Sequence, residues 1–287
     1  DPLWSRGLGD VYKRQMSYKT ILVHLEHALS MRKSLDVAIR LAEQEDAHLI
    51  GVATTGISSY AYSEHSALFD KAIQTLTERA KQLLDDFDRV CRLANVRSYE
   101  KKLIHDEASV GLIAPARYCD LVVVSQAVQD PLQVISSLPE YVMLNSARPV
   151  LVVPHIDKTA KLDEHILVSW NGSPEATRAI TYALPLLKRA KEVTVAVFQT
   201  SSPYRVLGET PGADVAIWLA RHGINVDIVE EYLRQDIDEA ILEVATRRKS
   251  GLIVMGGYGH ARFRELLVGG ATMDTLNNST IPILIAH

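Results

Sequence analysis

Near the carboxyl end lies a run dense in residues able to do chemistry: Met255-Gly256-Gly257-Tyr258-Gly259-His260-Ala261-Arg262-Phe263-Arg264-Glu265-Leu266-Leu267-Val268-Gly269-Gly270-Ala271-Thr272. Glycine permits backbone angles that other residues avoid and lets the main chain approach a ligand closely, which suits Gly256 and Gly259. Amide N–H groups exposed in such a turn form an anion-binding nest. Gly269 and Gly270 return after nine further residues and can bring a second stretch of backbone beside the same ligand. His260, Arg262 and Arg264 add donors and positive charge. The two arginines stand two apart, so on a helix they point differently. The chemistry this suggests is the gripping of a phosphate. Glycine spacing alone fits a tight turn with close helix packing equally well. The run is no GxxxxGK[ST] loop, and it does not follow a first strand as a dinucleotide fingerprint would.

The elements that must position this loop follow from periodicity. In the second half, His165–Trp170 is a continuous apolar strand, and Ala176, Ile180, Ala183, Leu184 and Leu187 then fall at helical spacing. Ser173 is suited to cap that helix and Pro174 to its first turn. Further strands are expected at Glu192–Phe198, Ile224–Tyr232, Leu252–Met255 and Ile281–Ala286. Helices are expected over 211–222, through Ile237–Ala245, and along the face formed by Phe263, Leu266, Leu267, Gly270, Met273 and Leu276. The glycine loop therefore leaves the fourth strand of its unit and enters a helix.

The same order occurs twice. Ile21-Leu22-Val23 matches Ile166-Leu167-Val168, Ala38 matches Ala183, and Leu41 matches Leu186, all at one offset. Asp120–Val124 matches Gly251–Met255, and Arg148–Pro154 matches Ile281–Ala286. A repeat this long means two duplicated domains rather than a solenoid. We expect them at 16–156 and 162–287. Residues 1–15 lack any strand or helix period and precede Met16, so they read as a non-native leader or artefact. That segment has no apolar core of the kind a signal peptide needs. Alternating strands and helices imply right-handed crossovers and a parallel sheet. Such sheets take ligands beyond the carboxyl ends of their strands, where strand order reverses.

Bulk properties narrow the function. The chain has 287 residues, 47% hydrophobic and 23% charged, with a net charge of −4. That balance suits a soluble globular protein of about two domains. It lacks the basic field expected of a nucleic-acid or membrane-surface binder. No apolar run reaches the ~20 residues needed to span a bilayer. The two cysteines, Cys91 and Cys119, form no CxxC pair, read as buried small hydrophobes and suit a reducing cytoplasm. No metal-spaced His/Cys cluster and no hydrolase or kinase signature is present.

On these residues the chain resembles the universal stress protein family in its tandem form. Nucleotide-binding members of that family carry Gly, two residues, Gly, nine residues, Gly, then Ser, Thr or Asn. Gly256, Gly259 and Gly269 match that spacing, and Gly270 stands at the final position, without the side-chain contact. The family's first strand usually ends in an Asp that meets the nucleoside; here Asn171 holds that place, uncharged but able to hydrogen-bond. Asn171 also serves simply as a turn residue before Ser173. Phe198 falls where the family flanks adenine, and it equally suits a core aromatic. The resemblance implies an adenine nucleotide, ATP with or without Mg2+, held by Ser169, Asn171, Phe198, Met255, Gly256, Gly259, His260, Arg262, Gly269, Gly270 and Ala271. It further implies an α/β fold of the adenine-nucleotide α-hydrolase-like kind. That means two open parallel five-stranded sheets with helices on both faces, arranged as an internal pseudo-dimer in which Val150–Val153 and Ile283–Ile285 meet edge to edge.

The first half is expected to be degenerate. Ser125, Val128, Ser136 and Ser137 stand where the second half has Gly256, Gly259, Gly269 and Gly270. Branched Val128 resists positive φ, and Pro131 removes an N–H donor. Glu26 occupies the position of Asn171. Asp106-Glu107 and Asp236-Ile237-Asp238 each precede a predicted helix, where acidic residues favour its positive end. Magnesium or ribose contact is the other use of such carboxylates. Three functions stay open: a regulatory stress protein binding adenine nucleotide, a nucleotide-independent interaction scaffold with a protein partner, and a slow ATP hydrolase. The last is the least supported, since no general base or committed metal carboxylate stands out. Homodimerisation is compatible with all three.

Overall fold

The computed structural model describes residues 17–26, 29–58, 67–127, 138–155, 161–199, 212–232, 236–257 and 271–287. Strands β1 (Thr20–Leu25), β2 (His48–Thr54), β3 (Tyr99–Ile104), β4 (Leu121–Ser125) and β5 (Val150–Val153) belong to the first half. Strands β6 (His165–Trp170), β7 (Glu192–Gln199), β8 (Asp227–Tyr232), β9 (Leu252–Gly256) and β10 (Ile283–Ala286) belong to the second. Helices α1 (Leu29–Glu45), α2 (Ala67–Leu93), α3 (Ala108–Gly111), α4 (Ile113–Ala116) and α5 (Leu138–Ser146) connect the first set. Helices α6 (Pro174–Leu187), α7 (Ala213–Arg221), α8 (Ile237–Arg247) and α9 (Ala271–Asn278) connect the second. The second-half strands and helices follow the expected apolar periods. The helical face read from Phe263 lies partly outside the described residues, and its described part is α9.

All strand pairs within a half are parallel, in the order β3-β2-β1-β4-β5 and its mirror β9-β6-β7-β8 with β10 beside β9. The two sheets do not stop at their edges. β5 and β10 pair antiparallel, with Val150 opposite Ile285, Leu151 opposite Leu284 and Val152 opposite Ile283. The result is one ten-stranded sheet. The expected pseudo-dimer is thus built around a shared seam, which removes two apolar strand edges that would otherwise invite foreign pairing.

Continuous Val/Ile/Leu strands have no polar face to show water, so both faces must be covered. On one face, Ile21, Val23, Ile166 and Val168 pack with residues of α1, α2, α6 and α7 in a core that runs across both halves. On the other, Leu22, Val122, Leu167 and Ile253 pack with α4, α5, α8 and α9. Cys91 belongs to the first core and Cys119 to the second; both are free and buried, and burial pushes each thiol up to about 12. Polar bolts cross between the halves. Tyr18 donates from its buried hydroxyl to the Tyr182 carbonyl at 2.7 Å, and Arg189 pairs with buried Glu45. No helix among the described residues is long and apolar enough to cross a membrane.

Leu151 and Leu284 are fully buried and face each other across the seam. Leu151→Ala should cost about 2–5 kcal/mol. It should also hasten amide exchange in β6 and β9 of the other half, measured by mass spectrometry, whereas independent domains would confine the change to the first. A second prediction concerns acid. His165 is buried and bonds Ser250 Oγ at 2.8 Å and Thr194 Oγ1 at 2.9 Å. Burial holds its pKa below the ordinary 6.5, and burial does the same to His24, partly opposed by Glu26. Both are neutral when folded, so stability is complete above pH ~6.5. Below that the unfolded chain takes up protons first, and stability falls by up to about 1.4 kcal/mol per pH unit per histidine until the folded pKa is passed. Urea midpoints measured from pH 7.5 downwards should drop in this window, and less steeply in His165→Asn.

Candidate functional site

Strand β6 lies between β7 and β9, so the chain leaves it in opposite directions on its two sides. That is the point where strand order reverses, and the crevice beyond it is the natural ligand position. Residues at the carboxyl ends of β6, β7 and β9 converge there. Ser169 is in register with Ala196 on β7 and Met255 on β9. Ser169 shares the parity of Leu167 along β6, so it faces the α8–α9 side of the sheet, where Phe198 and Met255 also pack. Ser169, Phe198 and Met255, which the resemblance implied together, occupy one face at one end of the sheet. Phe198 and Met255 are buried, and Ser169 is half-buried.

The turn after β6 is built locally. Gly172 adopts φ +72°, a conformation that favours glycine. Asn171 Oδ1 accepts from the Ser173 amide at 3.1 Å, and Ser173 Oγ accepts from the Ala176 amide at 3.1 Å, capping α6 with Pro174 in its first turn. Asn171 is exposed, with its oxygen engaged in this turn.

Gly256 corrects one expectation. It is not among the described residues with positive φ. A side chain is excluded there because a Cβ would stand 2.5 Å from the Ala176 amide nitrogen and 2.7 Å from the Glu175 carbonyl carbon. The glycine lets β9 lie directly against the first turn of α6. Gly257, which sequence reasoning passed over, has a comparable role on the other side. A Cβ there would meet Met143 Sδ at 2.6 Å and Ile285 Cδ1 at 3.1 Å. Met143 belongs to α5, so the other half of the molecule packs onto the second glycine of the loop. Gly259, His260, Arg262, Gly269 and Gly270 lie outside the described residues. Ala271 opens α9.

The equivalent place in the first half is filled differently. Gln126 N donates to the Val153 carbonyl at 2.8 Å as Gly257 N donates to Ala286 at 2.9 Å, which establishes the correspondence of the two strand ends. Ser125 and Ser34 are both buried and share a hydrogen bond of 2.7 Å, joining β4 to α1. His24 takes the position of Ser169 and is buried, with no partner for Nδ1 among the described residues. Val128, Pro131, Ser136 and Ser137 lie outside the described residues. The acidic residues before the short helices do stand at helix starts: Glu107 at the N-cap of α3 and Asp236 at that of α8, neither forming a side-chain cap bond. Among the described residues no group of three or more His, Cys, Asp or Glu could hold a metal.

Comparison with known proteins agrees with this architecture. The profile of the universal stress protein family matches residues 164–287. A universal stress protein of Synechocystis sp. (strain PCC 6803) is 24% identical over 147 residues, covering 50% of this chain and 49% of that protein. The chain thus spans about half the length of that relative. Among solved structures, a universal stress protein from Archaeoglobus fulgidus superposes with a TM-score of 0.71 at 17% identity, covering 93% of this chain and 95% of that one. A protein of unknown function from Pseudomonas aeruginosa PAO1 superposes at 0.60 and 17% identity over 96% and 94%. Both structures share the two-half fold.

The two loop glycines should differ in tolerance. Gly256→Ala drives a methyl into backbone and should cost about 1–3 kcal/mol or more. Gly257→Ala meets only the ends of Met143 and Ile285, and the adaptable thioether should keep its cost to about 1 kcal/mol or below. Chemical denaturation of the two variants side by side checks the order.

Proposed function

We propose that this chain is a stress-response regulator of the universal stress protein kind that binds ATP in its second half, the half that the family's profile matches and whose fold the first half repeats. The observation that carries this reading is the sequence spacing of Gly256, Gly259 and Gly269, in a run that begins at the end of β9, where Met255 is in register with Ser169. The donor set suits the ligand. Phe198 and Met255 supply an apolar strip for a base, and Ser169 a hydroxyl. The glycine run supplies main-chain N–H groups to phosphate without side-chain interference. Asn171, His260, Arg262, Gly270 and Ala271 complete the proposed site. The first half, with His24 in place of Ser169 and Ser125 in place of Gly256, has a supporting role in this reading.

An interaction scaffold that needs no nucleotide is the second reading. Two observations favour it. Gly270 lacks the side-chain oxygen or amide that the family places there, and the Asn171 oxygen is engaged in its own turn. Calorimetric titration of Met16–His287 with ATP, with and without Mg2+, separates the two. Binding of about one nucleotide per chain is expected, and it should vanish in Gly259→Val with folding unchanged. A parent protein that takes no ATP would overturn the nucleotide reading in favour of the scaffold. Phosphate release in the same samples separates binding from hydrolysis.

A further inference from the structure

The seam between β5 and β10 closes two sheet edges, and two others stand at the ends of the ten-stranded order. These are β3 (Tyr99-Glu100-Lys101-Lys102-Leu103-Ile104) and β8 (Asp227-Ile228-Val229-Glu230-Glu231-Tyr232), each six residues long. Among the described residues no strand pairs beyond either. Each therefore offers a row of main-chain N–H and C=O groups to a further strand. Glu100, Lys101, Lys102, Asp227, Glu230 and Tyr232 are exposed, and the other six side chains are half-buried.

Charge at a sheet edge ordinarily keeps copies of a chain apart, because identical edges then repel. Here the two edges differ in sign. β3 carries two lysines against one glutamate, and β8 carries three acids and no base. Pairing either edge with itself sets like against like; pairing β3 with β8 does not. Lys101, Asp227 and Glu231 are held within their own halves by Asp85, Arg248 and Arg247. Ion pairs this open to water are worth little and exchange readily.

Strand direction fits as well. Pairings within each half are parallel and the β5–β10 pairing is antiparallel, so β8 runs opposite to β3. A second copy shifted along the sheet presents its β3 antiparallel to the first copy's β8, the commoner kind of pairing. Laid over their full length, with Asp227 opposite Ile104 and Tyr232 opposite Tyr99, the strands set Glu230 against Lys101 and Ile228 against Leu103. These four share a face. Leu103 packs on the core that runs across both halves, and Val195 and Val197 of that core are in register with Ile228 and Glu230. On the other face Val229 meets the Lys102 stem, and Glu231 meets Glu100, a like pair that Arg247 offsets.

We propose that these two edges form an interface between copies of this chain, β8 of one accepting β3 of the next. The contact joins two different surfaces, so it repeats head to tail and grows with concentration instead of stopping at two copies. It is independent of the ATP reading.

Sedimentation velocity of the full chain over rising concentration, at ~0.05 M and ~0.5 M salt, tests this, with amide exchange followed by mass spectrometry. Mean mass should climb past two copies at low salt and fall back at high salt. Exchange over 99–104 and 227–232 should slow as mass climbs. Lys101→Glu and Glu230→Lys, each first shown to keep the parent's urea midpoint, should each weaken association about tenfold. An equimolar mixture of the two should regain the parent's assembly, because every alternating junction again sets opposite charges together. A parent that stays a single chain at every concentration overturns the proposal. So does assembly whose protection falls outside the two edges, or which stops at a dimer with one edge protected, the sign of like pairing. Variants that associate as tightly as the parent, or a mixture no tighter than either variant, overturn it as well. Should a variant lose its fold, edge protection in the parent decides alone.

Discussion

The antiparallel pairing of β5 with β10 is the constraint on which the rest of the molecule depends. Each half taken alone would end in an apolar strand with a row of unpaired main-chain groups. Joining the two edges satisfies both rows at once and fuses two five-stranded sheets into one. The helices then cover a surface twice as wide, and both hydrophobic cores run through the seam rather than stopping at it. The polar links Tyr18 to Tyr182 and Arg189 to Glu45 add register to a junction already driven by burial.

Duplication gives the two halves the same frame, and small differences at the strand ends give them different uses. At the end of β9 two glycines leave room for backbone and for a neighbour's methionine. At the end of β4 the corresponding residues are Ser125 and Gln126, which are buried and spend their polar atoms on α1 and on the last helix of the other half. At this point the first half meets its neighbours through side chains, where the second half meets them through bare backbone. His24 at the position of Ser169 carries the same trend, since a buried imidazole occupies more room than a hydroxyl.

Much of this was legible from residue order alone. The repeat, the strand and helix succession and the placement of the glycine run after a β-strand follow from apolar periodicity and from the matched Ile-Leu-Val segments, because burial on both faces imposes that composition locally. The Ser173-Pro174 helix start and the turn role of Asn171 are equally local, decided within three or four residues. The resemblance to a family extended this to the meeting of β5 with β10. What only the tertiary structure decided lies in contacts between residues far apart in sequence. Gly256 is a glycine because α6 presses on it, and Gly257 because α5 of the other half does. Gln126, an unremarked glutamine after a strand, acquires its role from carbonyls some 150 positions away. No period or motif records such a contact, because it exists only once two sheets have closed into one and carried the end of one half's strand to the end of the other half's helix.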